Sequence, residues 1–303
     1  MFRTQPFRVV AALLAIAVFS TPARSQVKSL KVYISADMEG VVGVVTGDQL
    51  GPGGFEYPRF REFMTREVLA AITAVRQEGA AEIVVSDSHG NGENLLIEML
   101  PEDVTVVRSW PRPLMMMEGI DSTFDAAVFI GYHASTTNPL GVRAHTISSA
   151  NLADVRLNGK SVPEAGINAA IAGHFGVPVI MISGGDAAVA EAQAVIGDLE
   201  GAVVKWNTSF HAARSLTPAA AYKVIGDKVT AAIRRLSDFK PFVLSTPVRL
   251  DVRFKNYRPS QLLAYLPGVE RTDAHSIRFV GGDMIAVSKF LEFVTNYEPG
   301  LKP

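Results

Sequence analysis

Leu30-Lys31-Val32-Tyr33-Ile34-Ser35-Ala36-Asp37-Met38-Glu39-Gly40 is the stretch that decides the fold of this chain. Its first seven residues read as a buried β-strand, and the acidic pair sits where such a strand gives way to a loop. In an open α/β sheet, ligands collect outside the carboxyl ends of the strands. Side chains two apart on an extended chain face the same way. A strand continuing through Glu39 would therefore aim Asp37 and Glu39 at one spot, with Gly40 allowing a sharp turn behind them. Two carboxylates so close repel each other unless a cation or a proton lies between them. The plainer alternative is that Asp37 caps a turn and Glu39 is solvated.

Two further apolar runs end in the same way. Residues 82–86 form a short strand leading into Ser86-Asp87-Ser88-His89-Gly90, where Asp87 is placed to hold the His89 imidazole from behind, as metal-bound histidines require. The fully apolar run 126–131 leads into Gly131-Tyr132-His133-Ala134. Glu164 follows Pro163 in the first turn of a helix, where a carboxylate also interacts well with the helix dipole. Imidazoles and carboxylates arriving together at strand ends suggest a divalent cation such as zinc or manganese. His145, twelve residues past His133, reads equally as a ligand, a proton shuttle or a nucleophile. His174, His211 and His275 lack such a context and read as structural or surface residues.

Outward from these ends, strands alternate with helical periodicities. The apolar positions Phe60, Phe63, Met64, Val68, Ala71, Ile72 and Val75 mark a helix over 59–77, and further strands are predicted at 104–107 and 177–182. Residues 147–157 read as a hairpin arm closed by Asn158-Gly159. The predicted fold is α/β, a mostly parallel sheet with helices on both faces. Beyond residue 216 the pattern becomes a helix (218–236), two extended runs (248–254, 275–280) and a last helix. That predicts an α/β metal-binding domain over 26–216 and a smaller α+β domain over 217–303. Gly51-Pro52-Gly53-Gly54 lacks the ending of a phosphate loop and reads as flexible, a candidate lid. Asp186 reads as a helix N-cap, and the absence of a Gly-x-Ser-x-Gly elbow argues against a serine hydrolase.

The first 25 residues read as a signal peptide: Arg3 and Arg8, an apolar run over 9–19, and Ala23-Arg24-Ser25. The run is short for a permanent anchor, so no membrane attachment is expected once the leader is removed. With no cysteine there is neither a disulfide framework nor a lipid-modified cysteine, which fits a periplasmic or secreted protein. Removing Arg3, Arg8 and Arg24 leaves 26 basic against 30 acidic residues with no basic block, which argues against nucleic acid as a partner.

The order of these motifs resembles the zinc-dependent D-aminopeptidase family of the DppA type. Ser-x-Asp-x-Glu-Gly, Asp-Ser-His, Gly-Tyr-His-Ala, a histidine about a dozen residues on, and Glu-x-Gly-x-Asn-Ala follow one another from Ser35 to Ala169. Met117-Glu118-Gly119-Ile120-Asp121, Val177-Pro178-Val179 and Leu266-Pro267-Gly268-Val269 extend the resemblance over nearly the whole chain after the leader. It implies two Zn2+ per subunit, other divalent cations being possible. Asp37 would bridge them, Glu39 and His89 would complete one, and His133 and Glu164 the other. His145 would be the catalytic residue, and subunits would assemble into a homo-oligomer, a decamer in the known case. The implied substrate is a short peptide with an N-terminal D-residue such as D-alanine, its free amine held by a metal or a nearby carboxylate. Two features depart from the family: a slightly longer spacing between His133 and His145, and the leader. Another dinuclear-metal hydrolase (an L-aminopeptidase, an amidase or a phosphoesterase) or a non-catalytic envelope solute-binding protein are the competing readings.

Overall fold

The computed structural model describes residues 1–2 and 29–297, so all but the first two residues of the expected leader lie outside the described residues. In chain order the elements are β1 (Leu30–Ala36), α1 (Tyr57–Gln77), β2 (Ala80–Asp87), β3 (Val104–Val107), β4 (Ala126–Tyr132), β5 (Leu152–Leu157), β6 (Lys160–Ser161) and α2 (Glu164–His174). They continue with β7 (Val179–Gly185), α3 (Asp186–Ile196), β8 (Glu200–Ser209), β9 (Ala212–Ser215), α4 (Pro218–Arg234) and β10 (Val248–Phe254). The chain closes with α5 (Tyr257–Leu263), β11 (Val269–Arg271), β12 (Ser276–Gly281) and α6 (Met284–Asn296). None of the described helices is long and apolar enough to cross a membrane.

Seven strands form one sheet in the order β3-β2-β1-β4-β7-β8-β9, every neighbouring pair parallel except β8 with β9. The order reverses between β1 and β4, the switch point where a doubly wound sheet opens a crevice at its strand ends. Every residue of β4 and β7 is buried, as parallel strands covered on both sides must be. The helices cover the sheet in two sets, α1 packing on α4 and α2 on α3 and α6. In α4, Ala221, Ile225, Val229 and Ala232 repeat one helical turn apart and are the buried stripe. α2 is buried on all sides from Glu164 to Gly173, which places Glu164 inside the molecule.

A second, antiparallel sheet has the order β11-β12-β10-β5-β6. It does not divide from the first at residue 216/217. β5 and β6, before that point, pair into the second sheet, while α4, after it, packs on α1 and β8. The hairpin arm expected over 147–157 is extended only from Leu152. The β8–β9 hairpin was not anticipated from the sequence. Asp186 is the first residue of α3 rather than its N-cap, which is Gly185. The Gly51–Gly54 loop is fastened rather than loose: Gly54 N donates to Gly51 O at 2.8 Å, and Thr46 and Gln49 form a capping box just before it.

β1 ends at Ala36, so Asp37 and Glu39 do not continue the strand. The turn that carries them is stitched to the end of β4 instead, with Asp37 N donating to Ile130 O (2.8 Å) and Gly40 N to Gly131 O (2.6 Å). This approach leaves no room for side chains. A Cβ on Gly40 would stand 2.0 Å from Tyr132 O, and one on Gly131, whose φ is +72°, would stand 2.2 Å from Asp37 O. Gly131→Ala is therefore expected to destabilise the protein by about 3 kcal/mol, measured as a shift in the urea midpoint. An unchanged midpoint would contradict the packing of β1 on β4.

Candidate metal centre

All six residues singled out in the sequence converge at the switch point. Asp37 and Glu39 leave β1, His89 follows β2, His133 follows β4, Glu164 opens α2, and His145 arrives on the loop between β4 and β5. His89 Nδ1 lies 2.8 Å from Glu39 Oε2 and 3.3 Å from Asp37 Oδ1. His133 Nε2 lies 3.4 Å from Asp37 Oδ2 and 3.3 Å from Glu164 Oε1. The two oxygens of Asp37 thus face different imidazoles. His145 Nε2 is 3.7 Å from Glu164 Oε1 and 3.8 Å from Glu39 Oε1, and its ring stacks on His133 with centroids 4.0 Å apart. The ligand-capable atoms of Asp37, Glu39 and His133 lie within 4.8 Å of one another, as do those of His133, His145 and Glu164.

Hydrogen bonds on the far sides of the rings fix each tautomer. His89 Nε2 donates to Leu50 O (2.7 Å), His133 Nδ1 to Ala134 O (3.0 Å) and His145 Nδ1 to Arg143 O (2.8 Å), leaving the opposite nitrogen of each facing the cluster. The support for His89 thus comes from Leu50, the residue just before the loop read as a lid. Asp87, the support predicted from the sequence, does not hold the ring. Its carboxylate accepts from Asn94 N, Asn94 Nδ2 and Leu95 N, shaping the loop that carries His89. Glu164 Oε1 accepts from Ile147 N at 2.7 Å. His174 and His211 are exposed and His275 is partly exposed, each outside the cluster.

Burial and mutual repulsion shape the charges here. Burial pushes the Asp37 carboxyl up to about 7, and the Glu39 charge adds to it. Burial also opposes ionisation of Glu39 and Glu164, but the imidazoles beside them hold both below the usual carboxylate range. Burial works against charge on His89 and His133. The carboxylates override it, raising His89 well above its ordinary value and His133 to about 10. His145 goes the other way, lowered by burial and by its stacked neighbour His133.

Asp37 Oδ2, Glu39 Oε2 and His133 Nε2 are buried without a well-directed hydrogen bond, close as the imidazoles and carboxylates stand to one another. Orphaned polar atoms in an interior are costly, and three pointing together at one place are what a bound cation would satisfy. Oxygen and imidazole donors at this density suit zinc or a similar divalent ion. Asp37, Glu39, His89, His145 and Glu164 open onto a cavity of about 350 Å³.

Several side chains that brace the cluster were missed in the sequence. Lys205, on β8 and 1% exposed, donates from Nζ to the carbonyls of Glu39 (2.5 Å), Val44 (2.7 Å) and Val41 (3.1 Å). Glu67 of α1, fully buried, accepts from Val42 N in the same turn (2.9 Å). Arg112, also buried, donates to Ser86 Oγ and Asp87 O at the end of β2. Tyr132 OH joins β4 to β1 through Ser35 Oγ (2.7 Å) and receives the Asn168 amide of α2 (2.9 Å). A lone lysine in the apolar run Val203-Val204-Lys205-Trp206, and a glutamate on the apolar stripe of α1, were the available signals.

Lys205→Met is expected to leave three buried carbonyls unpaired and cost about 3 kcal/mol. It should also weaken zinc binding through Glu39 by about tenfold, read by competition with a chromophoric chelator. A second expectation concerns protons. Groups raised above their ordinary values hold protons in the metal-free protein at neutral pH, and a cation must displace them. Zinc titration at pH 7 should therefore release about two protons per subunit, measured by calorimetry in buffers of different ionisation enthalpy. Affinity should rise as pH rises through 7 and fall on acidification, and pH-independent binding would contradict the assignment.

The D-aminopeptidase family profile spans residues 30–293. A D-aminopeptidase of Bacillus subtilis (strain 168) is 33% identical over 257 residues, covering 84% of this chain and 93% of that protein. A solved structure, described as the Zn-dependent D-aminopeptidase DppA from Bacillus subtilis, a self-compartmentalizing protease, matches with a TM-score of 0.85 at 31% identity. It covers 88% of this chain and 97% of that one. With the match running through both sheets and across all six clustered side chains, this chain belongs to the D-aminopeptidase family of metallopeptidases.

Proposed function

We propose that this protein removes an N-terminal D-residue, such as D-alanine, from short peptides, with two zinc ions held in each subunit. The observation that carries the reading is the division of Asp37 between two imidazole sets, Oδ1 towards His89 and Oδ2 towards His133. Asp37 would bridge the ions, with Glu39 and His89 completing one site and His133 and Glu164 the other. When bound, such ions act as Lewis acids that polarise a carbonyl and acidify a water.

The chain's own groups supply the remainder. His145 carries its proton on Nδ1 and keeps Nε2 free inside the cavity, so it can take a proton from the attacking water and return it to the leaving amine nitrogen as the C–N bond breaks. Its lowered proton affinity keeps it in the neutral, accepting form at pH 7. Met115, Met116 and Ile147 give the cavity apolar walls suited to a small side chain. Among the described lining residues there is no lysine or arginine. Such a cavity favours a substrate's amino end over its carboxylate end, as an aminopeptidase requires.

We further read the protein as a homo-oligomer, in keeping with the relative described as self-compartmentalizing, and take a decamer as the expected size. The leader read from residues 1–25 would send it to the periplasm or outside the cell, where cell-wall turnover offers D-alanyl peptides.

Protein treated with a chelator should lose activity on D-alanyl p-nitroanilide and regain it with zinc, at about two ions per subunit by elemental analysis. Asp37→Ala should lower kcat/KM by about 10³-fold. The L-alanyl substrate and a generic phosphate ester, assayed in parallel, should be poor. Full activity after metal removal would overturn the reading, and no turnover with no stoichiometric zinc would indicate a binding protein.

A further inference from the structure

The cavity that holds the cluster has a fourth carboxylate that the chemistry above does not use. Glu292, in the last turns of α6, lines it together with Thr295, Asn296, Trp110 and Met115. Asp37, Glu39 and Glu164 are committed to the imidazoles, so Glu292 is the one described lining carboxylate outside that cluster. It is 7% exposed.

Its orientation is set from one side only. Oε1 accepts from the backbone N–H of Arg112 at 3.0 Å, while Oε2 is buried without a well-directed hydrogen bond; the Asn296 amide is the carboxylate's other polar neighbour and favours its charged form. The Arg112 guanidinium is turned away to Ser86, Asp87 and Ser109, so it does not neutralise Glu292 through an ion pair. Burial accordingly raises the proton affinity of Glu292. A buried carboxylate oxygen without a partner is costly, and a cationic group entering the cavity would relieve that cost.

We propose that Glu292 is the anchor for the substrate's free α-ammonium group and thereby the residue that restricts the enzyme to peptides with an unblocked N-terminus. The inference rests on the aminopeptidase reading. Glu292 lines the same cavity of about 350 Å³ as Asp37, Glu39 and Glu164, a volume at the small end for ligand sites, so a terminal residue seated at the cluster shares that space with the α6 wall. An ammonium drawn out of water needs an anion beside it, and the Glu292 carboxylate, held by the Arg112 N–H, offers one in this cavity. No covalent step is involved: the carboxylate holds the amine while the neighbouring amide bond is cut.

The test is a matched pair of metal-directed inhibitors, D-alanine hydroxamate and propionohydroxamate, which differ only in the amino group, measured against the zinc-loaded parent and Glu292→Gln. The parent should bind the amino compound about 10- to 100-fold more tightly, the range expected for a charge-assisted hydrogen bond. In Glu292→Gln that preference should fall to within about threefold, with propionohydroxamate bound as in the parent and the loss in D-alanyl p-nitroanilide turnover appearing mainly in KM. Retention of the full preference by the variant would overturn the proposal and leave the metal reading standing. Equal weakening of both inhibitors would show Glu292 acting through the fold, and would overturn it too. Failure of both inhibitors to bind the parent would remove the aminopeptidase reading and this inference together.

Discussion

Three carboxylates buried side by side at the end of a parallel sheet set the terms for the rest of this structure. Asp37, Glu39 and Glu164 are each no more than 5% exposed, and burial alone drives carboxylates towards the neutral form. The three imidazoles around them reverse that tendency for Glu39 and Glu164 and leave Asp37, caught between both sets, near neutrality in pH. Such an arrangement is unfavourable for folding and favourable for binding cations. The energy withheld from the fold is available as metal affinity.

The scaffold offsets that strain with hydrogen bonds placed behind the cluster rather than within it. Each ring is fixed by a backbone carbonyl on its far side. The turn bearing Asp37 and Glu39 is held from three directions: by the end of β4 through Gly40 and Gly131, by the Lys205 ammonium, and by the Glu67 carboxylate. Lys205 and Glu67 are themselves buried and shifted towards neutrality, Lys205 pushed down to about 7 and Glu67 up to about 8. Their position beneath a turn that must stay open on its other face explains why such expensive groups sit there. Regular structure could not satisfy those carbonyls without closing the site.

The cavity's lining also carries a sign. Carboxylates, imidazoles and neutral polar groups face it, with apolar walls from Met115, Met116 and Ile147 and no lysine or arginine among the described lining residues. That asymmetry, rather than the fold, links the centre to the amino end of a peptide, since doubly wound sheets serve many chemistries.

Residue identity and local order were enough to expose the cluster's members. A carboxylate or imidazole after an apolar run is visible in one dimension, and the strand-ends rule turns it into a shared location. The alternation of strands and helices likewise announced the parallel sheet. Long-range pairing was not legible: β5 and β10 meet across ninety-odd residues, so the sheets divide elsewhere than at residue 216/217. The convergence of Asp37 and Glu39 had been attributed to a continuing strand, but β1 stops at Ala36 and a turn held by distant groups does the aiming. Asp87 lies two residues before His89 and reads from the sequence as its support, whereas Leu50, thirty-nine residues earlier, provides it. The sequence by itself determined which side chains gather in the cluster, because that was legible from functional groups and their local setting. Only the tertiary structure decided what braces them and what faces them across the cavity, because those contacts join segments far apart along the chain.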